Sequence, residues 1–268
     1  MKINSDISNL NTTNLNKVKE QQEKSLERLA TGLKINSASD DVAGFQIAQR
    51  LFSQASGIQV AVRNANDAYS YASVADSAFE SVTDASQRVN ELSIQAANGT
   101  LSAADRKAIQ SEITQLQQQV SDVQQNTTFA GQQIFGNSQN KNFQVGANAG
   151  EQIGFSTSSF NEQIEQFNSI DVTTQAGAQA AIETSQGLIQ DFGASRSQIG
   201  AFQNRITSTI NNLNNVYVQT ESARSRIEDA DFAQESANLV QQQIQTNIST
   251  AMAGQANSNQ QVAASLLN

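Results

Sequence analysis

Val74-Ala-Asp-Ser-Ala-Phe-Glu-Ser-Val-Thr-Asp-Ala-Ser-Gln-Arg-Val-Asn-Glu-Leu-Ser-Ile-Gln-Ala-Ala-Asn-Gly-Thr100 places Val74, Ala78, Phe79, Val82, Ala85, Val89, Leu92 and Ala96 at steps of mostly three and four. Such spacing is a heptad-like seam, and it calls for a partner helix. The run stops at Asn98-Gly-Thr100, where Gly99 can end a helix. Ser102-Ala-Ala-Asp105 then has the form of a capping box, with Asp in place of the commoner Glu or Gln. From there Ile109, Ile113, Leu116, Val120 and Val123 make a second seam. A short turn between two such stripes predicts an antiparallel helical hairpin.

Downstream the texture changes. Between Thr127 and about Asp171, Gly131, Gly136, Gly146, Gly150 and Gly154 separate short apolar pieces at 133–135, 142–145 and 152–155, which read as small strands and turns. Thr173 to Ala181 reads as a junction. Helix then resumes with Ile182, Ile189, Phe192, Ile199, Phe202, Ile206, Ile210, Leu213, Val216, Thr220, Ala223 and Ile227 along roughly one face. Upstream, Gly32 interrupts an N-terminal helix, and Leu33 to Gly44 is a polar, acid-containing link. Helix returns from Phe45 to Tyr71, with Ser39, Asp40 or Asp41 as its cap. The expected fold is mainly α: long heptad helices in an elongated coiled-coil bundle, with a small β-hairpin region at about 128–171.

The two ends are unusual. Phe232 to Asn268 carries one charged side chain, Glu235, yet keeps Leu239 or Val240, Ile244, Ile248 and Ala251 at helical spacing. Met1 to Asn16 has only Lys2 and Asp6 as charged side chains, with Ile3, Ile7 and Leu10 on one stripe. Nearly uncharged amphipathic ends read as interfaces. Ordering a residue costs about 1–2 kcal/mol of backbone entropy. A covered aliphatic side chain returns roughly 1.5–3 kcal/mol. Narrow stripes alone do not balance that account, so the ends are expected to be disordered in a monomer and to fold when docked between subunits. Head-to-tail contacts of this kind need not close and so propagate a polymer.

Composition narrows the function. The 268 residues contain Pro 0, Cys 0 and His 0, with a net charge of −9 and aromatics at 6%. Proline-free chains tolerate very long helices. The acidic balance argues against nucleic acid, and no apolar run approaches a membrane span. Without histidine the usual general base and the HExxH metal motif are excluded, so neither an enzyme nor a cofactor is expected. The adjacent acids Asp40-Asp41 and Glu228-Asp229 read as caps and turns. Arg224, Arg226, Glu228 and Asp229 are expected to form ion pairs with the 33–44 link, fixing an interdomain angle. Exposed pairs contribute only about 0–1 kcal/mol. Asn11, Asn98, Asn126 and Asn247 each begin an Asn-x-Ser/Thr pattern, which in so Asn-, Ser- and Thr-rich a chain reads as coincidence.

Several long blocks carry a resemblance. Residues 25–44, Ser-Leu-Glu-Arg-Leu-Ala-Thr-Gly-Leu-Lys-Ile-Asn-Ser-Ala-Ser-Asp-Asp-Val-Ala-Gly, resemble the N-terminal signature of bacterial flagellin. Arg63-Asn-Ala-Asn-Asp67 and residues 87–95 are similar to the next two blocks. Residues 222–233 are similar to the C-terminal signature, and Leu266-Leu267 to the expected finish. Gln260 stands where that family commonly has proline.

The resemblance implies a structural subunit that polymerises into the helical flagellar filament for motility, exported unfolded and secreted outside the cell. It implies an inner-tube coiled coil from 1–44 plus 229–268 and an outer-tube bundle from 45–228. The block Phe143 to Gly150, with helix resuming by about Ala178, implies a variable outer domain that is nearly absent. Ile3, Ile7, Leu10, Leu26, Leu29, Leu33, Leu239, Val240, Ile244, Ile248, Leu266 and Leu267 are the expected polymerisation interface. Implied partners are further flagellin subunits, a flagellar export chaperone, the cap and hook-associated proteins. Gln87, Arg88, Glu91, Leu92 and Gln95, with Glu112 on the next helix, match the stretch read by the host flagellin-sensing Toll-like receptor. Asn90 stands where recognised members often carry a basic residue. A hook–filament junction protein and a secreted coiled-coil adhesin are the alternatives.

Overall fold

The computed structural model describes residues 2–135, 140–156 and 160–265. The described chain runs α1 (Lys2–Thr31), α2 (Val42–Ala96), α3 (Ala103–Asn126), β1 (Thr128–Phe129), β2 (Gln132–Gln133), β3 (Asn140–Gln144), β4 (Gln152–Ser156), α4 (Phe160–Asn168), α5 (Gln175–Glu228) and α6 (Phe232–Ser265). It is mainly α, with long packed helices and two small antiparallel strand pairs, as the heptad seams predict. Contacts divide it into two compact units, residues 1–55 with 218–268 and residues 56–217.

In the unit 56–217, the seam of α2 is the spine of the core. Ala78, Phe79, Val82, Ala85, Val89, Leu92 and Ala96 are buried, and on α3 so are Ile109, Ile113 and Val120. Leu116 and Val123 pack against them half-buried. Val74 does not belong to the seam. It is 36% exposed, and Ala75 beside it is wholly buried, because the stripe toward the N-terminus continues through Ala72, Ala68 and Ala65. The capping box is present: Ser102 Oγ accepts from the Asp105 amide, and Asp105 Oδ2 accepts from the Ser102 amide.

The strands cover the aromatic part of this core. Tyr71 on α2 meets Phe129, Phe143 and Phe155 edge-on at 5.4–5.6 Å. Phe79 meets Phe135, Phe160 and Phe192 at 4.7–6.2 Å. Such edge-to-face pairs suit the ring quadrupole. β1 and β2 are joined by Ala130 and Gly131, both at positive φ (50° and 78°), the geometry of a two-residue type I′ turn. β3 and β4 pair from Asn140↔Ser156 to Gln144↔Gln152.

Three sequence expectations need correction here. Ile134 and Phe135 lie just beyond β2 and are core residues rather than strand residues. Residues 160–168 are a helix, α4, burying Phe160, Ile164 and Phe167 at helical spacing. The junction before α5 ends at Thr174, and the first turns of α5 bury Ala181, Ser185 and Leu188, leaving Ile182 and Ile189 only half-buried. Larger apolar side chains suggested the neighbouring face; small ones fill the space where packing is tight.

Candidate assembly interface

In the unit 1–55 with 218–268, α1 and α6 pack along each other. Their inner faces mix polar and apolar side chains. α1 turns Leu15, Val18, Gln22, Ser25, Arg28 and Leu29 inward, and α6 turns Glu235, Asn238, Leu239, Gln242 and Thr246. Ser25 and Glu235 are buried, with Arg28 Nη1 3.9 Å from Glu235 Oε1. These residues line an open groove of about 470 Å³ together with Gln21, Lys24, Gln241 and Gln245. Large apolar side chains also face outward: Leu10 and Leu26, on different sides of α1, and the row Val240, Ile244, Ile248 and Met252 on α6, all about half to two-thirds exposed.

Val240, Ile244 and Ile248, expected as interface residues, therefore lie uncovered at steps of four, and Met252 extends their row. Leu29, Leu33 and Leu239 are half-buried within the unit. The side chains of Ile3 and Ile7, and Leu266 and Leu267 altogether, lie outside the described residues. Phe232, which is 70% exposed, Met252 and Val262 add to the exposed apolar surface of α6 and escaped sequence reading; the i+4 continuation from Ile248 was the available signal for Met252.

The corner joining 31–44 to 228–231 is built from main-chain bonds. α1 ends at Gly32, whose φ of +73° favours glycine and whose amide donates to Arg28 O. Leu33 bridges Asp229, the Lys34 amide donates to Glu228 O at 2.5 Å, and the Ala230 amide donates to Gly32 O at 2.9 Å. Asp40 Oδ2 accepts from the amides of Asn36 and Ser37 and from the Ser37 hydroxyl. Those bonds, the Ser37 amide foremost, hold its carboxyl below the usual range. Asp41 Oδ1 accepts from the Gly44 amide and caps α2.

Ion pairs across this corner were expected; the charges do something else. Arg224 pairs with Glu221 at 2.8 Å and Glu228 at 3.1 Å, both on its own helix, and its guanidinium lies 5.8 Å from the Phe52 ring centre. Asp229 accepts from the Ser225 hydroxyl. Among the described residues no ion pair joins Arg224 or Arg226 to residues 33–44. Backbone groups cannot be left unbonded, whereas exposed charges can be solvated, so the chain fixes its corner with the former.

On the α2–α3 hairpin, Gln87, Arg88, Glu91, Gln95 and Glu112 are exposed. Arg88 Nη2 meets Glu112 Oε1 at 2.8 Å and Arg88 Nη1 meets Glu91 Oε2 at 3.1 Å, so the three form one ion-paired patch spanning both helices. Leu92 is not part of that surface. It is 2% exposed and sits in the core, because the α2 stripe passes through it. Asn90 is half-buried, and its Oδ1 accepts from the buried Ser185 hydroxyl on α5. Among the described residues no cluster of His, Cys, Asp and Glu could hold a metal ion, and no helix is long and apolar enough to cross a membrane.

Comparison with known proteins matches this architecture at both ends. Residues 3–140 match the bacterial flagellin N-terminal helical region, and residues 182–267 the bacterial flagellin C-terminal helical region. Polar flagellin A of Vibrio parahaemolyticus is 30% identical over 358 aligned residues, covering 94% of this chain and 95% of that protein. Flagellin B of Vibrio anguillarum is 29% identical with the same coverage. Both alignments are longer than this chain, so those relatives carry residues that have no counterpart here. Among solved structures, Bacillus cereus flagellin covers 56% of this chain and 88% of its own, with TM-score 0.50 at 23% identity. A protein described as flagellar hook-associated, from Vibrio parahaemolyticus, covers 71% of this chain with TM-score 0.56 at 15% identity, a likeness of fold alone. With family regions matched from residue 3 to 140 and 182 to 267, and curated flagellins aligned over nearly its whole length, the chain belongs to the bacterial flagellin family and is a structural subunit of the flagellar filament.

Proposed function

We propose that α1 and α6 are the polymerisation element of this subunit, and that the exposed row Val240, Ile244, Ile248 and Met252 is what a neighbouring copy covers. One observation carries the reading: α6 presents four large apolar side chains at steps of four to solvent, each more than half exposed. Burying each aliphatic member of that row is worth about 1.5–3 kcal/mol when a neighbour covers it. Leu10 and Leu26 are the exposed large apolar side chains among the described ones of α1. On this reading 1–44 with 229–268 forms the inner tube and 45–228 the outer one. The extra residues of the longer relatives correspond to an outer domain this chain largely lacks.

The near absence of charge in 232–268 suits a wall in which the same residues recur at every subunit, since like charges would be stacked close together. The ends order fully on docking, and the exported chain is extracellular, with a chaperone covering the α6 row before assembly. Cap and hook-associated proteins meet the filament through the same terminal helices. Gln87, Arg88, Glu91, Gln95 and Glu112 form the exposed patch open to a host flagellin-sensing receptor.

Electron microscopy after salt-induced assembly tests the central claim. Wild-type protein is expected to form long tubes, and Ile244→Asp with Ile248→Asp to form none while keeping its helical content. Long tubes from that double variant would remove the α6 row from the interface. Circular dichroism of monomer and filament tests folding on assembly: equal helicity in both states would sink it. Purified monomeric Arg88→Ala is expected to activate the receptor more weakly than wild type, and equal activation would detach the Arg88 patch from recognition.

A further inference from the structure

The corner between α2 and α3 holds the one Asn-Gly pair in the sequence, Asn98-Gly99, and its geometry favours chemistry at the asparagine. Asn98, Gly99 and Thr100 are all exposed, so water reaches the corner. Asn98 Oδ1 accepts two hydrogen bonds from one residue, the Thr100 amide at 3.2 Å and the Thr100 hydroxyl at 3.1 Å. The neighbouring Gly99 amide donates to no other group among the described residues. Glycine also carries no side chain to obstruct approach of that nitrogen to the Asn98 side-chain carbonyl.

We propose that Asn98 is a self-modification site, at which the folded chain converts its side-chain amide into a carboxylate. The Gly99 nitrogen gives its proton to solvent base and bonds to Asn98 Cγ. The amide nitrogen takes up a proton from solvent, its bond to Cγ breaks, and it leaves as ammonia. The resulting five-membered imide takes up one water and opens at either carbonyl. One opening restores the ordinary main chain with an aspartate side chain; the other gives isoaspartate, with the main chain rerouted through Cβ. No oxidant or cofactor enters. During the addition, negative charge develops on Oδ1, the atom on which both Thr100 donors converge. Donors already aimed at a developing oxyanion lower the barrier to forming it.

The product bears on the hairpin. The Arg106 guanidinium collects three carbonyls of this corner, donating to Ala96 O at 2.9 Å, Leu101 O at 3.0 Å and Asn98 O at 3.0 Å. In isoaspartate the chain to Gly99 runs through an added carbon, and the former Asn98 main-chain carbonyl becomes a free carboxylate, so one of the three acceptors of Arg106 turns from a neutral carbonyl into a charged group. The α2–α3 turn thus carries a built-in ageing step that rewires it.

The test follows the tryptic peptide Val89–Arg106 by mass spectrometry while full-length protein is incubated in buffer, locating any amide-to-acid change at Asn98 or Asn90 by fragmentation. The folded chain is expected to convert Asn98 several-fold faster than the same chain unfolded in guanidinium. Thr100→Ala removes the hydroxyl donor and keeps the main-chain one, so it is expected to bring the folded rate part of the way down to the unfolded one, and Gly99→Ala to slow it further. A Cβ at Gly99 meets only Gln175 Nε2 at an ordinary 3.7 Å, so that variant keeps its fold, which circular dichroism verifies. Conversion no faster in the folded chain than in the unfolded one, or a folded rate unmoved by Thr100→Ala, would overturn the proposal.

Discussion

Asp41 Oδ1 accepts a hydrogen bond from the Gly44 amide at 2.9 Å, and a Cβ added to Gly44 would stand 2.5 Å from the other oxygen of that carboxylate and 2.7 Å from Ile35 Cδ1. The cap of α2 and the buried Ile35 therefore close on one glycine, with Ile35 only 4% exposed. Gly44→Ala must displace one of the two. Loss of an N-cap costs about 1 kcal/mol, and overpacking about 1–3 kcal/mol. We expect Gly44→Ala to lower stability by about 1–3 kcal/mol and Asp41→Ala by about 1 kcal/mol in urea unfolding. The double variant should lose less than the sum, because the two changes share one contact.

The turn from β1 to β2 offers a gain instead. Ala130 sits at φ 50°, where a Cβ crowds the following carbonyl. Type I′ turns favour Asn-Gly for this reason. Ala130→Asn, keeping Gly131, is expected to raise stability by about 0.5–1 kcal/mol, read as a higher unfolding midpoint. An unchanged or lower midpoint would show that the turn is not the one described.

Acid should weaken the corners before it touches the cores. Asp105 is held below its ordinary 3.8 by the Ser102 hydroxyl first and then the Ser102 amide; Asp171 is likewise held down by the Thr173 amide. Asp40 is lowered from the same value by Ser37. A carboxyl with a depressed folded-state pKa adds stability that is complete above the unfolded value of about 4 and disappears as pH falls through the folded one. The unfolding temperature is therefore expected to be flat above pH about 5 and to drop below about 4. Asp40→Asn with Asp105→Asn should start lower and fall less steeply over that range.

Leu92 and Gln95, one turn apart on α2, should part company. Leu92→Ala removes a side chain that is 2% exposed and is expected to cost about 2–5 kcal/mol. Gln95→Ala, on the exposed face, should change stability by less than about 0.5 kcal/mol. Any loss of receptor signalling in Leu92→Ala is then expected to scale with unfolding, measured on the same sample.

The helices were legible in the sequence wherever large apolar residues mark the seam, as from Ala78 to Ala96 and from Ile109 to Val123. The capping box at Ser102 and Asp105, and the end of α1 at Gly32, were equally plain, because each depends on residues within four positions of one another. Reading failed where alanine and serine do the packing: Ala75 beside Val74, and Ala181 and Ser185 beside Ile182, look the less apolar choice yet are the buried ones. It failed also at α4, whose Phe160, Ile164 and Phe167 keep helical spacing amid glycine-rich surroundings that suggested strands. At the candidate interface the exposed α6 row was visible as a periodicity. Its orientation was not, since which face of a helix turns toward its partner depends on that partner. The ion pairs expected from Arg224 failed for a related reason: local acids at Glu221 and Glu228 outcompete distant ones.

The α1–α6 pair half-buries Leu15, Val18, Leu29 and Leu239 yet leaves its Val240-to-Met252 row outside, more apolar surface than a free-standing helix pair in water would keep wet. Such a component is insoluble in the sense that matters to it: dilution leaves the row wet, and crowding dries it. Growth should then have a threshold concentration, below which copies stay apart and above which each added copy dries the row of the one before. Where the chain is delivered, and how many copies arrive together, would decide whether it exists as single molecules or as a fibre.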